Sequence, residues 1–320
     1  MLAATPQTTS AAPTAGMSLI STGASERGTV FAWHGIAGNA GIALGPFTTA
    51  TLLIVVDWQV AAALMALPGV VAILYGIRAE FDTTAAVEED VDAGPGTALT
   101  PTTVLSNSKQ LFASAFLVVF VLVVFEGLFY RGVLTYLPEI LQDLDAMAEI
   151  SPTAGLAGIE PSDYVFVGLL VVGMAGQYVG GKLTDRVAVE RGLLVIFAIL
   201  ALLALLFVPV TNLGLVGVLA VCALLGFFLF AVQPFYQVAV ALYTPADTRG
   251  LSYGFTYLGE FGLGAASIAI GGFVLDEFAL AAFFATLAGF ALVGGALAVL
   301  LLVGHDRFAL LERGEPEAAD

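Results

Sequence analysis

From residue 29 onward, long apolar runs alternate with short polar breaks, and the run lengths predict the elements. Between Gly192 and Ala246 there is no Asp, Glu, Lys or Arg. A soluble core has no use for such a stretch. A bilayer does, because crossing ~30 Å of hydrocarbon takes roughly 20 apolar residues per helix. A turn near Pro209-Val210-Thr211-Asn212 divides this stretch into two crossings. Read in the same way, the whole chain predicts about eight spans, at 29–56, 58–78, 110–138, 163–183, 192–210, 213–243, 250–275 and 278–303. Runs rich in Leu, Ala, Val and Gly are helices, since in lipid each backbone group must pair within its own segment. The alternation of a membrane β-barrel is absent. The fold class expected is an all-α integral membrane protein.

The basic residues orient the spans. Threading eight of them puts both termini on one side, and every Lys and Arg except Arg131 falls on or next to that side: Arg27, Arg78, Lys109, Lys182, Arg186, Arg191, Arg249, Arg307 and Arg313. The positive-inside rule makes that side the cytoplasm. The opposite loops carry Asp57, the acids from Glu139 to Asp163, and Asp276-Glu277. The chain is thus expected to be a multi-pass protein of the plasma membrane with both termini cytoplasmic.

Composition changes the picture only at the surface. The net charge is −16, with 26 acids against 10 bases, and the acids crowd into Glu88–Asp92, the 139–163 loop and the Glu312–Asp320 tail. Ordinary solvated loops are one reading. We favour a salt-adapted surface, as in a halophilic organism, whose acidic, lysine-poor loops stay soluble at high ionic strength. This balance argues against nucleic-acid binding. The single cysteine, Cys222, lies in an apolar block, so no disulfide framework is expected. No basic segment precedes an apolar run at the start, which argues against a cleavable signal peptide.

The front and the rear of the chain echo each other. Arg27-Gly28-Thr29-Val30-Phe31 opens the first span and Arg249-Gly250-Leu251-Ser252-Tyr253 the seventh, each followed by a glycine-rich helix, a further apolar helix and a polar segment. Repeated halves mark secondary transporters. The organisation expected is a polar tail at 1–27, a two-helix front at 28–79, an acidic cytoplasmic linker at 80–109, a six-helix bundle at 110–304 and an acidic tail at 305–320.

Gly41-Ile42-Ala43-Leu44-Gly45-Pro46 resembles the G-x-x-x-G-P signature of the fifth helix of the major facilitator superfamily. Gly181-Lys182-Leu183-Thr184-Asp185-Arg186 resembles that family's G-x-x-x-D-R loop, and the paired Arg-Gly helix starts match its fourth-to-fifth and tenth-to-eleventh loops. The resemblance runs over about residues 17 to 304 and implies helices five to twelve of a twelve-helix transporter. The chain accordingly reads as an N-terminally truncated member with a complete rear bundle. The resemblance further implies gating roles for Gly181, Asp185, Arg186 and Arg191 and for Gly41, Gly45 and Pro46, the Asp185 carboxylate holding the cytoplasmic gate by pairing with a helix N-terminus. Two departures stand out: Val187-Ala188-Val189-Glu190-Arg191 in place of a glycine and further bases, and Thr49-Ala50 in place of paired small residues.

Ionisable groups within a membrane are functional candidates by default. Glu260 lies nine residues beyond Leu251, ~14 Å deep and near the midplane. On an α-helix Tyr253, Tyr257, Glu260, Gly264 and Ser267 share its face. A carboxylate in an apolar cavity suits a proton carrier, a structural carboxylate bonded to a neighbouring helix being the alternative. Glu126 lies slightly outward of centre, with Tyr130 one turn on. Arg131 either snorkels to the outer headgroups, pairs with one of the two glutamates, or attracts an anionic substrate. Gln177, Gln233, Gln237, Tyr236 and Asn39 add uncharged hydrogen-bonding groups, and Pro234 beside the glutamines is either a hinge or a shaping bend. His34, Gly38, Gly41 and Gly45 share one face of the first span, which we read as a close-packing stripe.

No metal-ligand spacing, phosphate-binding loop or nucleophile triad is present, so neither a metal, nor another cofactor, nor an enzyme is expected. The expected function is alternating-access transport of a small organic solute, coupled to protons, with efflux slightly favoured because the G-x-x-x-G-P signature is commoner among the family's exporters. The alternative is a non-transporting membrane protein, a sensor or an inert truncated product.

Overall fold

A computed structural model describes Met17, residues 20–21, 26–78, 101–148, 160–244 and 248–312. Within these residues the chain is helical, with no strand. In chain order the helices are α1 (Arg27–Val55), α2 (Trp58–Arg78), α3 (Pro101–Phe112), α4 (Phe116–Gln142), the single turn α5 (Asp145–Ala148), α6 (Pro161–Thr184), α7 (Val189–Thr211), α8 (Leu215–Leu242), α9 (Arg249–Tyr257), α10 (Ala266–Glu277) and α11 (Leu280–Glu312). A π-helical turn, Leu258–Leu263, joins α9 to α10.

Seven helices among the described residues are long and apolar enough to cross a membrane, α9, the π turn and α10 counting together as one. The first predicted span, α1, is not among the seven and is a continuous helix of 29 residues. The side chains of positions 43, 46 and 47 within it lie outside the described set. The third span starts later than the apolar run suggests. Residues 101–109, assigned to the linker by their polarity, belong to α3, and a tight turn at Ala113–Ala115 separates it from α4. Residues 80–100 lie outside the described residues, as do most of the N-terminal tail and the last eight residues. Pro209 sits in the last turn of α7, and the reversal comes at Asn212–Gly214, where Gly214 takes φ 89°. That left-handed backbone is one only glycine adopts cheaply.

The core lies in the rear helices. α6 runs along α8 because Gly173, Gly176 and Gly180 lie at helical spacing on one face. A methyl at Gly176 would collide with the Phe227 carbonyl, and one at Gly180 would come within 2.5 Å of the Ala231 carbonyl. Without a hydrophobic drive between helices in lipid, such backbone-to-backbone approach supplies the van der Waals contact that holds them. α7 lies between α8 and α11, with Phe207 stacked on Phe284 at 4.0 Å. α4 packs on α11 and on the π turn.

Among the described side chains, α1 joins this bundle through its first half. Phe31, Ala32 and Asn39 are buried against α6 and α8, whereas Ile42, Leu44 and the turn at Leu53–Val55 are exposed. α2 is exposed along its length apart from the buried Ala61 and the half-buried Met65. Its outward Leu, Val and Ile side chains require an apolar surrounding, which a bilayer provides.

Candidate functional site

The front and rear segments meet around a cavity of about 150 Å³. Four elements and the last residue of α9 wall it. α1 contributes His34, Asn39 and Ile42 with Gly35 and Gly38. α4 contributes Tyr130, and α8 contributes Gln233, Tyr236 and Gln237, which share a face at i, i+3 and i+4. The π turn contributes Glu260 and Phe261, with Tyr257 just before it.

The π turn arises where small residues let α4 come close. Gly127 of α4 lies on the Glu260 backbone, so that a Cβ there would sit 2.5 Å from the Glu260 carbonyl oxygen, and the Gly264 amide donates to the Gly259 carbonyl five residues back at 2.8 Å. The extra residue per turn rotates everything after Glu260, a feature often found at functional sites. The single face predicted from uniform helical spacing is therefore broken after Glu260, while Tyr253 and Tyr257 before the turn keep their i, i+4 spacing at different depths. Tyr257 and Glu260 reach the cavity. Tyr253 is fully buried and donates to the Gln237 carbonyl at 3.1 Å, Gly264 packs on Gly127, and Ser267 packs against Gly132.

Glu260, 3 % exposed, accepts a hydrogen bond from the Tyr236 hydroxyl at 2.7 Å. Glu126, one turn before Tyr130 on α4, is 1 % exposed, and neither of its carboxylate oxygens has a hydrogen-bond partner. It lies within electrostatic reach of Glu260 and Arg131. The Arg131 guanidinium lies 4.7 Å from the Phe261 ring centroid, a cation–π contact, and its Nε is buried without a hydrogen-bond partner. Neither Glu126 nor Arg131 lines the cavity; both stand behind the lining.

Three buried amides join the halves beside the cavity. Asn39 Nδ2 donates to Gln177 Oε1 at 2.7 Å and to Gln233 Oε1 at 3.3 Å, and Gln177 Nε2 donates to Gln233 Oε1 at 2.8 Å. Gly35 makes room for this triangle, because a Cβ there would overlap the Gln177 amide. Gln177 thus holds the site together from behind the lining.

At the basic end, α6 stops against the start of α1. Asp185 Oδ1 accepts from the Gly28 amide at 3.2 Å and Oδ2 from the Thr29 hydroxyl at 2.6 Å. A carboxylate at the first turn of a helix satisfies orphan N–H groups and faces the positive end of the macrodipole. Gly181 lies against Gly28 and Ala32 of α1, and Lys182 pairs with Glu26 at 3.3 Å. Arg186 and Arg191 are exposed, and Glu190 begins α7 by accepting from the Tyr243 hydroxyl.

The close-packing stripe expected in α1 lies elsewhere. A Cβ at Gly38, Gly41 or Gly45 would meet open space among the described residues, whereas Gly28 and Gly35 are the tight positions. Helical spacing alone identifies a glycine face but not which part of it meets a neighbour. The Gly45 carbonyl accepts from the Thr49 hydroxyl at 2.8 Å, and the Pro46 side chain lies outside the described residues. The lining adds Phe261, His34, Gly35, Gly38 and Ile42 to the cavity residues expected from the sequence. Phe261 is one apolar residue among many, and only the π turn brings it round; His34, read in the sequence as part of the close-packing stripe, lines the cavity instead.

The model of the Major Facilitator Superfamily matches residues 8–268. No curated protein matches the chain.

Proposed function

Because this chain belongs to the Major Facilitator Superfamily, a family of membrane transporters, we propose that it moves a small organic solute by alternating access, driven by protons and with outward export the favoured direction. The reading rests on one observation above all. Two buried carboxylates, Glu260 at the cavity and the unpartnered Glu126 behind it, lie at the junction of the two halves. An isolated ionised carboxylate is expensive in such surroundings, so a group of this kind takes up a proton or a cationic partner.

The remaining contacts support the rest of the cycle. Asp185 ties α6 to the N-terminus of α1 at the basic end, while the far half of α1 stands away from the rear helices. With the basic end taken as cytoplasmic, this is the state closed to the cytoplasm. Residues 28–79 act as one moving body and 110–304 as the other, and Gly181, Asp185, Arg186, Arg191, Gly41, Gly45 and Pro46 belong to the gating surfaces.

The test is solute flux in vesicles containing the purified protein under an imposed pH gradient, with solutes screened by competition. Glu260→Gln and Glu126→Gln, each nearly isosteric, are expected to abolish the response of flux to the gradient while the protein remains folded. Unchanged gradient-driven flux in both variants overturns proton coupling.

A further inference from the structure

We propose that the cavity selects a small organic ammonium ion with an aromatic or similarly flat body, and rejects anions of the same shape. This deepens the transport reading above and rests on it for the idea that the cavity is a solute site.

Charge supplies the first argument. The lining holds one carboxylate, Glu260, and neither Lys nor Arg. Arg131, the one cation close by among the described residues, is engaged with the Phe261 ring and stands behind the lining. Behind it too lies Glu126, whose oxygens have no hydrogen-bond partner. Two carboxylates against one guanidinium leave one negative charge unbalanced. At low dielectric such a charge is costly, so the site calls for one positive charge at a time. A proton or an ammonium ion supplies it, and an anion makes the imbalance worse. His34, exposed on the α1 side, is the other titratable group of the lining apart from the tyrosines Tyr130, Tyr236 and Tyr257.

Shape and surface supply the second. Tyr257 and Phe261 stack at 5.5 Å with their planes 18° apart, and Tyr130 and Tyr236 bring two more rings to the same lining as Glu260. Aromatic faces attract ammonium ions. Gln233 and Asn39 bring further hydrogen-bonding groups to the lining. A cavity of about 150 Å³ lies below the ~300–1,000 Å³ of drug-sized sites, and ~150 Å³ is a volume known to admit benzene. The ligand that fits is one ring with one short charged arm.

Three probes of nearly equal size separate the possibilities: benzylammonium, benzyl alcohol and benzoate. Binding of each to the purified full-length protein is measured at fixed pH by calorimetry and by thermal protection. Benzylammonium is expected to bind, benzyl alcohol about tenfold or more weakly, and benzoate not at all. Glu260→Gln, which keeps a group for Tyr236 to bond, is expected to remove the preference for benzylammonium over benzyl alcohol. Tyr257→Leu provides a second variant, expected to weaken benzylammonium without admitting benzoate. Binding of benzoate as tight as that of benzylammonium, no binding of benzylammonium, or an unchanged preference in Glu260→Gln overturns the proposal. The expected selectivity without gradient-driven flux overturns the transport reading alone. Flux of some solute that benzylammonium does not inhibit overturns the ammonium site alone.

Discussion

The Tyr236 hydroxyl donates to the Glu260 carboxylate at 2.7 Å, joining α8 to the π turn inside the bundle, both residues almost completely buried. A carboxylate at this depth depends on the few donors that reach it. Tyr236→Phe removes this one without changing the ring, and a hydrogen bond to a charged group contributes about 1.5–3 kcal/mol. The variant is expected to lose stability of that order, unfolding at a lower temperature, and to lose gradient-driven flux, read by thermal denaturation and vesicle transport on the same preparation.

Gly127 is the residue on which the π turn rests. Gly127→Ala drives a methyl into the Glu260 backbone, with contacts of 2.5 Å to its carbonyl oxygen and 2.7 Å to its Cα. Backbone cannot step aside as a flexible side chain can, so the expected cost is that of overpacking, about 1–3 kcal/mol. Gly38→Ala is the control, since its Cβ meets open space. Equal thermal stability of the two variants would show that α4 and the π turn are not in this contact.

The amide triangle of Asn39, Gln177 and Gln233 predicts coupling across the junction of the halves. Asn39→Ala leaves Gln177 bonded to Gln233, while Gln233→Ala removes the acceptor that Asn39 and Gln177 share. Members of one network are not additive, and a double-mutant cycle on Asn39 and Gln233 is expected to give an interaction of about 0.5–3 kcal/mol. Additive losses in unfolding free energy would mean that the triangle is not a unit.

Asp185→Asn keeps the size of the side chain and removes its charge from the first turn of α1. Charge at a helix N-terminus contributes about 0.3–1 kcal/mol, enough to shift a closed-to-open ratio by up to about fivefold. The readout is labelling of a cysteine placed at Ala32, which is buried against Gly181. Its labelling rate is expected to rise in Asp185→Asn and to stay the same in Arg186→Gln, where the side chain is exposed.

Much of the fold is legible from one property, the length of the apolar runs, and the places where that property falls short have physical causes. Run length cannot see α3, because a polar helix and a polar linker have the same composition over a dozen residues. It also cannot see the π turn, because Leu258–Leu263 reads as ordinary helix and the turn lies where Gly127, on another segment, lets α4 meet its backbone. Glu260 and Glu126 stand out in the sequence as charges where charge is costly. Which of them faces the cavity does not, since that depends on the rotation of each helix about its axis.

What the sequence by itself determined is the membrane-spanning helical character of the chain and the short set of residues able to carry charge within it. Both depend on the free energy of moving single segments from water to lipid, a sum over neighbouring residues. Only the tertiary structure decided that Glu260 bonds to Tyr236 while Glu126 is sealed without a partner, that Arg131 lies on Phe261, and that Asn39 clasps Gln177 and Gln233 from 138 and 194 residues away. Those outcomes turn on distances of a few tenths of an ångström between segments remote in the chain, where glycines permit contact and larger residues refuse it.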